Sequence, residues 1–225
     1  MKLLIVILFC LCSFAAAAQD AEALVKKIKV KIDLVNNYEA GATMKTNVTF
    51  LKVPEAQVKI YFKKPNLLKI KNEKGISFVP KGAVSMNLSN ILNGQYSIID
   101  AGYDKIGTVK TRVVKLLPTD DNADVVLSTL YIDETNLVVL KAKTTTRENG
   151  SYQLEMTYGK YKDYCLPDKL IFTFNTKDYK LPKGVTFDFD DDTNNKPAEK
   201  NKTGKAEITF SSYTINKGVD DAVFK

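Results

Sequence analysis

Over residues 20–37 the apolar side chains Leu24, Ile28, Ile32 and Val35 recur at three- to four-residue steps, with lysines between them. That spacing stacks them along one side of an α-helix, so a helix with a single buried stripe is predicted here, and Asp20 is placed to cap it. From Tyr38 the period drops to two. Met44, Thr46, Val48 and Phe50 alternate with polar neighbours, then Val58, Ile60 and Phe62 alternate with Lys59, Tyr61 and Lys63. After Pro65, Leu68 and Ile70 alternate with Lys69 and Lys71. A two-residue period puts every second side chain on one face of a strand, so these are half-buried strands, broken near Pro54 and Pro65. The middle is less regular. Residues 75–84 read as a hairpin, 85–92 as a short helix, and 96–100 and 108–117 as strands. The segments 125–133, 137–146 and 152–160 are joined by the short links Glu134-Thr135-Asn136 and Glu148-Asn149-Gly150, which predicts consecutive antiparallel strands. Residues 170–175 and 205–213 add two more, with Leu170, Phe172 and Phe174 on one face of the first and Ala206, Ile208 and Phe210 on one face of the second. Between them, residues 188–204 are acidic and then rich in Lys and Asn, and read as a surface loop.

The sum is a mainly β, α+β chain: one N-terminal helix, many antiparallel strands, and short helical pieces inserted among them. A sheet with one oily face must cover that face, and these helices are too few to cover it densely. Either the sheet curls on itself as a partial barrel, or it keeps an apolar hollow, and a curled sheet with a helical lid suits a greasy ligand.

The first residues add a destination. Lys2 precedes an apolar run from Leu3 to Leu11, and Ala16-Ala17-Ala18 precedes Gln19-Asp20. A basic start, a short apolar middle and an Ala-x-Ala exit predict a signal peptide over residues 1–18, leaving 19–225 as a single domain with 188–204 as its loop. The apolar run is shorter than the roughly 20 residues of a membrane span. Cys10 and Cys12 leave with the leader and lack the small preceding residues of a lipidation site. Cys165 is then the one remaining thiol, with no internal disulfide to make. Loss of Lys2 takes the 33 basic side chains to 32 against 26 acidic, a net charge of +6. Basic charge favours anionic partners, but export argues against nucleic acid, and lysines alternating with apolar residues describe a solvated sheet face.

The chain has no histidine and no tryptophan. Without histidine, Ser-His-Asp and Cys-His catalysis and most zinc sites are excluded. Cys165, in Tyr164-Cys165-Leu166-Pro167, has no base to activate it and reads as an inert buried thiol. The acidic stretch from Asp188 to Glu199 approximates an EF-hand loop, but Thr193 stands where glycine is needed and Pro197 interrupts it. Four Asn-x-Ser/Thr triplets, at Asn47, Asn87, Asn149 and Asn201, would matter only in a eukaryotic secretory pathway. No catalytic residue, metal site or cofactor is therefore assigned.

Two stretches carry a resemblance. Val58-Lys-Ile-Tyr-Phe-Lys-Lys-Pro-Asn-Leu-Leu-Lys-Ile70 is similar to the first long hairpin of the bacterial outer-membrane lipoprotein carriers, the LolA-like periplasmic chaperones. The end of the chain, Phe210-Ser-Ser-Tyr-Thr-Ile-Asn-Lys-Gly-Val-Asp-Asp-Ala-Val-Phe224, resembles the family's last strand and exit. The resemblance implies an unclosed antiparallel half-barrel, with an N-terminal helix and short lid helices over an apolar cavity. It implies a soluble periplasmic carrier, monomeric and not an enzyme, that shuttles the acyl chains of lipoproteins, or another lipid, toward the outer membrane. Its partners would be an inner-membrane releasing complex and an outer-membrane acceptor. The family's lid-controlling arginine is Lys64 here, which keeps the charge and loses the planar fork. The strand faces nominate Met44, Val58, Ile60, Phe62, Leu68, Ile70, Val113, Leu140, Leu154, Met156, Phe172 and Phe174 as the cavity wall. The competing readings are an envelope lipid sensor on the same fold, an exported hydrolase using two carboxylates, and an adhesive β-domain with a filled core.

Overall fold

The computed structural model describes residues 20–48, 51–52, 55–72, 88–92, 94–147, 150–175 and 203–225. The leader, the hairpin expected at 75–84, the acidic EF-hand-like stretch and residues 188–202 of the expected loop lie outside these.

Residues 20–33 form the helix α1, whose Leu24, Ile28, Ile32 and the following Val35 are all buried, as the periodicity requires. Asp20 is already helical and so is not the cap. The helix also ends before Asn37, and the cause is a residue far away in sequence. Asn216 Oδ1 accepts from the N–H groups of Asn36 (2.7 Å) and Asn37 (3.3 Å), while its Nδ2 donates to the Leu34 carbonyl (2.7 Å). These bonds satisfy groups at the helix end that continuation would otherwise pair. Asn216 holds this pose in the left-handed region (φ 57), where asparagine is tolerated.

The strands follow as β1 (Asn37–Val48), β2 (Leu51–Lys52), β3 (Ala56–Lys63), β4 (Leu67–Asn72), β5 (Tyr96–Ile106), β6 (Val109–Pro118), β7 (Val125–Asp133), β8 (Val138–Thr146), β9 (Ser151–Thr157), β10 (Lys169–Asn175) and β11 (Thr203–Ile215). A five-residue helix, α2 (Leu88–Leu92), lies between β4 and β5, within the segment expected to be helical. Strand pairing is antiparallel, in the order β4-β3-β1-β11-β10-β9-β8-β7-β6-β5, with the short β2 beside β1. The path does not return on itself: β4 and β5 are its two ends. The architecture is thus a mainly β, unclosed antiparallel half-barrel with α1 and α2 against one face.

Several element boundaries depart from the patterning: the strand expected over 152–160 ends at Thr157 and the last strand runs on to Ile215, and two further departures have a plain cause. β5 continues beyond Asp100 to Ile106, because Ala101 and Gly102 form a bulge rather than a break. Gly102 takes φ 81 there, and its N–H donates to Asp100 Oδ1 at 2.9 Å, a geometry that favours glycine. β11 starts at Thr203, so the last two residues of the stretch read as loop, Thr203 and Gly204, belong to a strand. Gly204 faces Phe174 of β10, and this tertiary pairing overrides the local turn preference of Thr-Gly.

The core is one cluster. It joins the α1 stripe (Leu24, Val25, Ile28, Ile32), the α2 residues Leu88, Ile91 and Leu92, and alternate strand residues such as Val58, Ile60, Phe62, Leu154, Phe172 and Ile208. Both helices therefore pack on the inner face of the sheet. The outer face is mostly polar: Lys59, Lys141, Lys143 and Lys169 occupy the intervening positions, and pairs such as Lys169–Glu207 (2.8 Å) bridge neighbouring strands.

Candidate functional site

Where β1, β3, β4, β10 and β11 meet the ends of α1 and α2, the inner face does not pack completely. A cavity of about 60 Å³ remains. α1 contributes Ile32, with Val35 just beyond it, and α2 contributes Leu88. The floor is built in register rows. Tyr38 of β1 faces Phe62 of β3, which faces Leu68 of β4, and one row further on Ile60 faces Ile70. β9, β10 and β11 add Met156, Leu170, Ile208, Phe210 and Tyr213, and the loop before β10 adds Tyr164, Cys165, Leu166 and Pro167. Among these, hydrocarbon and aromatic side chains predominate, so the space suits an apolar guest.

Aromatic rings define one end of the cavity. Tyr38 packs on Phe62 (centroids 5.3 Å) and meets Tyr213 edge-on (5.4 Å), while Phe210 stacks on Tyr213 (5.0 Å). The Tyr213 hydroxyl donates to the Pro167 carbonyl at 2.8 Å and so fixes the loop that carries Cys165. Burial, followed by the facing charges and phenols, keeps Tyr213 neutral far above the usual phenol range. Cys165 sits in the left-handed region (φ 52) and its thiol points at the Leu137 carbonyl (3.5 Å). Burial pushes this thiol up to about 11, with Lys31 opposing and Asp163 reinforcing the shift, so it is protonated and unreactive at neutral pH.

Of the residues nominated from strand faces, Ile60, Phe62, Leu68, Ile70 and Met156 line this cavity. Met44, Val58, Leu154, Phe172 and Phe174 point to the same side but lie in the surrounding packed core. Leu140 borders a second hollow of about 460 Å³ at the far end of the sheet, which it shares with Met156. Val113 is on the other face: β6 carries Val114 and Leu116 into the core, and Val113 pairs with Tyr131 on the outer side. Two adjacent valines leave the parity of a strand ambiguous, and the sequence gives no reason to prefer the second.

The residues that patterning missed fall in two groups. Cys165, Leu166 and Pro167 come from an irregular loop that has no period to read. Tyr213 was hidden by a bulge. Gly41 faces Ser212 and Ala42 faces Phe210, so Ser211 is an extra residue that shifts the alternation of β11 and turns Tyr213 inward.

The second hollow is a poorer site for an apolar ligand, because Asp133, Asn136 and Lys162 rim it and bind one another. Asp133 Oδ1 accepts from the N–H groups of Thr135 (2.9 Å) and Asn136 (3.1 Å), and Lys31 Nζ donates to the Asn136 carbonyl (2.8 Å).

Lys64 lies at the cavity's aromatic end. Its ammonium donates to the Asp33 carbonyl (2.7 Å) and lies 3.4 Å from the Asp33 carboxylate, while its N–H donates to the Asn36 carbonyl (2.9 Å). It thus ties the β3–β4 turn to the C-terminal end of α1, where a cation also complements the helix dipole. Burial alone would raise the Asp33 carboxyl, but the hydrogen bonds and charges of Lys29 and Lys64 outweigh it and hold the carboxyl below its ordinary value.

No family model and no curated protein matches this chain in sequence. Solved structures do match in fold. A domain described as an outer membrane lipoprotein-sorting protein, from Vibrio parahaemolyticus, superposes with a TM-score of 0.59 at 11% identity, covering 92% of this chain and 97% of that one. A DUF1329 family protein from Desulfovibrio piger gives 0.57 at 13% identity, covering 92% and 97%. A LolA superfamily protein from Nitrosomonas europaea gives 0.53 at 11% identity, covering 91% and 97%. The chain has the fold of these proteins, the LolA-like open half-barrel.

Proposed function

We propose that the protein is a periplasmic carrier that takes the acyl chains of a lipoprotein, or another lipid, into the cavity between α1, α2 and the sheet. The observation that carries this reading is the incompletely filled apolar space on the inner face. It lies under two helices that cover it and is walled by Ile60, Phe62, Leu68, Ile70, Ile208 and their neighbours. The shared fold with lipoprotein-sorting and LolA superfamily domains supports it, as does the leader-like start of the chain. Among the described residues no helix is long and apolar enough to cross a membrane. A carrier needs no catalytic group, which accords with a chain that lacks histidine. Its partners are then the membrane components that load and unload it.

The cavity's size says how such a carrier works. About 60 Å³ is less than half of the roughly 150 Å³ that admits a benzene ring. The space in the described state is therefore too small for an acyl chain, which enters only when the space widens as a helix lifts from the sheet. Each methylene that leaves water favours the loaded form by about 0.8 kcal/mol. That gain opposes the loss of contacts between the lid and the sheet, so loading and opening are one coupled equilibrium. Lys64, which ties α1 to the β3–β4 turn, is the residue we assign to lid control.

The test is direct. The chain lacking residues 1–18 is purified without detergent, its bound material is read by native mass spectrometry, and displacement of a fluorescent fatty acid is titrated. Co-purified lipid or saturable displacement is expected. Neither lipid nor displacement would overturn the carrier reading.

A further inference from the structure

The second hollow is a poor site for hydrocarbon alone, but it is larger than the cavity and adjoins it. At about 460 Å³ it falls within the roughly 300–1,000 Å³ of small-molecule sites, which the cavity of about 60 Å³ does not. Met156 belongs to both walls. The partition around it is thin. On the cavity side the Cys165 thiol points at the Leu137 carbonyl (3.5 Å), and Leu137 stands between Asn136 and Val138 of the hollow. On the hollow side the Tyr158 hydroxyl donates to the Val139 carbonyl (3.0 Å) and lies 3.4 Å from Met156 Sδ.

Methionine makes a partition that moves easily. Its side chain is unbranched, with three rotatable bonds, and adapts where a β-branched residue would stay fixed. The two spaces also differ in the order that an amphiphile requires. Around Ile60, Phe62 and Ile208 the cavity wall is buried hydrocarbon. Beyond Met156, Val109 and Leu140 are half-buried, and Thr157, Gly159 and Lys162 are exposed. Polarity and access to water rise together from one space to the next, so a chain lying in the cavity places its polar end in the hollow.

The charges of the hollow select that polar end, because the rim carries both signs. Asn136 joins them. It donates to the Asp133 carboxylate through its N–H (3.1 Å) and its Nδ2 (2.7 Å), while its Oδ1 accepts from the Lys162 ammonium (3.4 Å) and its carbonyl from Lys31 (2.8 Å). A second carboxylate, that of Asp168, lies against Gly159, so close that a Cβ there would collide with it. An anionic head in this space meets Asp133 and Asp168, and a cationic one meets Lys162 and Lys31. An uncharged head of hydroxyl, ester or amide groups meets no like charge, and Thr157, Asn136 and Lys162 offer it hydrogen bonds.

We propose that the second hollow is the head-group site of the carrier: the acyl chain lies in the cavity, its carbonyl end passes Met156, and an uncharged hydroxyl- or amide-bearing head is held among Val109, Leu140, Asn136 and Lys162. This rests on the carrier reading and adds to it a second site and a class of lipid, the neutral acylglycerols and acyl amides.

The experiment compares the wild type with Leu140→Trp, which fills the hollow from a half-buried position outside the cavity wall, and with Lys162→Ala, which strips one charge from its exposed rim and leaves the core intact. Four sixteen-carbon probes are titrated by displacement of an anilinonaphthalene dye: 1-hexadecanoylglycerol, hexadecanoate, hexadecyltrimethylammonium and hexadecane. In the wild type the glyceride should bind more tightly than either ion. Leu140→Trp should weaken the glyceride about 5- to 10-fold, the size of one neutral hydrogen bond, and leave hexadecane unchanged. Lys162→Ala should strengthen the cationic probe about 2- to 5-fold, the size of an exposed charge contact, and also leave hexadecane unchanged. Thermal melts show whether Leu140→Trp is folded, and where it is not, Lys162→Ala decides. Equal loss of glyceride and hexadecane in a folded Leu140→Trp overturns the proposal while the carrier reading stands. So does a cationic probe indifferent to Lys162→Ala, or an ion that binds the wild type more tightly than the glyceride. Failure of all four probes to bind the wild type overturns both.

Discussion

Ile60→Ala and Leu154→Ala are a matched pair that separates a ligand cavity from an ordinary core. Both side chains are essentially buried, Ile60 at 2% and Leu154 at 0% exposure, and both changes remove about three carbons. In the empty protein each should cost about 2–5 kcal/mol. For a domain of this size that lowers the melting temperature by about 4–20 °C. Ligand should tell them apart. The space opened at Ile60 adjoins the cavity, so an acyl chain longer by about three methylenes can fill it, and at about 0.8 kcal/mol each the longer chain gains at most about 2.4 kcal/mol, or roughly 50-fold in affinity. Leu154 is in the packed core away from this cavity, and its void is sealed. The assay is dye displacement by a ladder of saturated acyl methyl esters, run beside thermal melts. The preferred chain length should rise by two to three carbons in Ile60→Ala and stay fixed in Leu154→Ala. The same optimum in both variants, or a shift in Leu154→Ala alone, would refute the claim that this cavity holds the chain.

Two further outcomes follow from the charged groups. Lys64→Ala should speed dye association by no more than about five-fold, because both partners are partly exposed and such pairs hold less than about 1 kcal/mol; stopped-flow fluorescence reads this. The Asp33 carboxyl is held below its ordinary value when folded, so its contribution is complete above the unfolded value near 3.8 and fades as pH falls through the lower folded one. Association in the wild type should therefore quicken below about pH 4, and a rate flat with pH across that range would count against the latch. At the other edge of the sheet, the Arg112 guanidinium bonds Asp100 and the Tyr103 hydroxyl, and its Nε is already buried without a partner. Asp100→Ala should cost about 1–3 kcal/mol in urea unfolding, since the pair is only partly buried and Tyr103 still bonds the guanidinium, and adding Arg112→Met should restore much of it, because the damage is an uncompensated charge.

The half-barrel was legible because its strands alternate cleanly. Val58-Ile60-Phe62 can bury only one face, and the sheet places all three inside. The cavity was legible only as a face. Parity assigns Phe172 and Ile60 alike to the inner side, and nothing local says that space is left beside Ile60 and filled beside Phe172, which stacks on Phe174 at 5.2 Å. What escaped was set by long-range contacts. The Ser211 bulge that turns Tyr213 inward depends on pairing with Gly41, and the early end of α1 depends on Asn216.

The pairing of β1 with β11 also sets when this molecule can exist at all. The strand that begins at Asn37 must wait for the one that ends at Ile215, and the Asn216–Leu34 bond that closes the seam joins residues 182 positions apart. Such distant closure is slow, and it cannot be made by a nascent chain whose last strand has yet to appear. Until then the arm made of β4, β3 and β1 has no link to β10 and the rest of the sheet. The carrier we propose would therefore have its cavity only once β11 is in place, because that strand brings Ile208, Phe210 and Tyr213 to the wall.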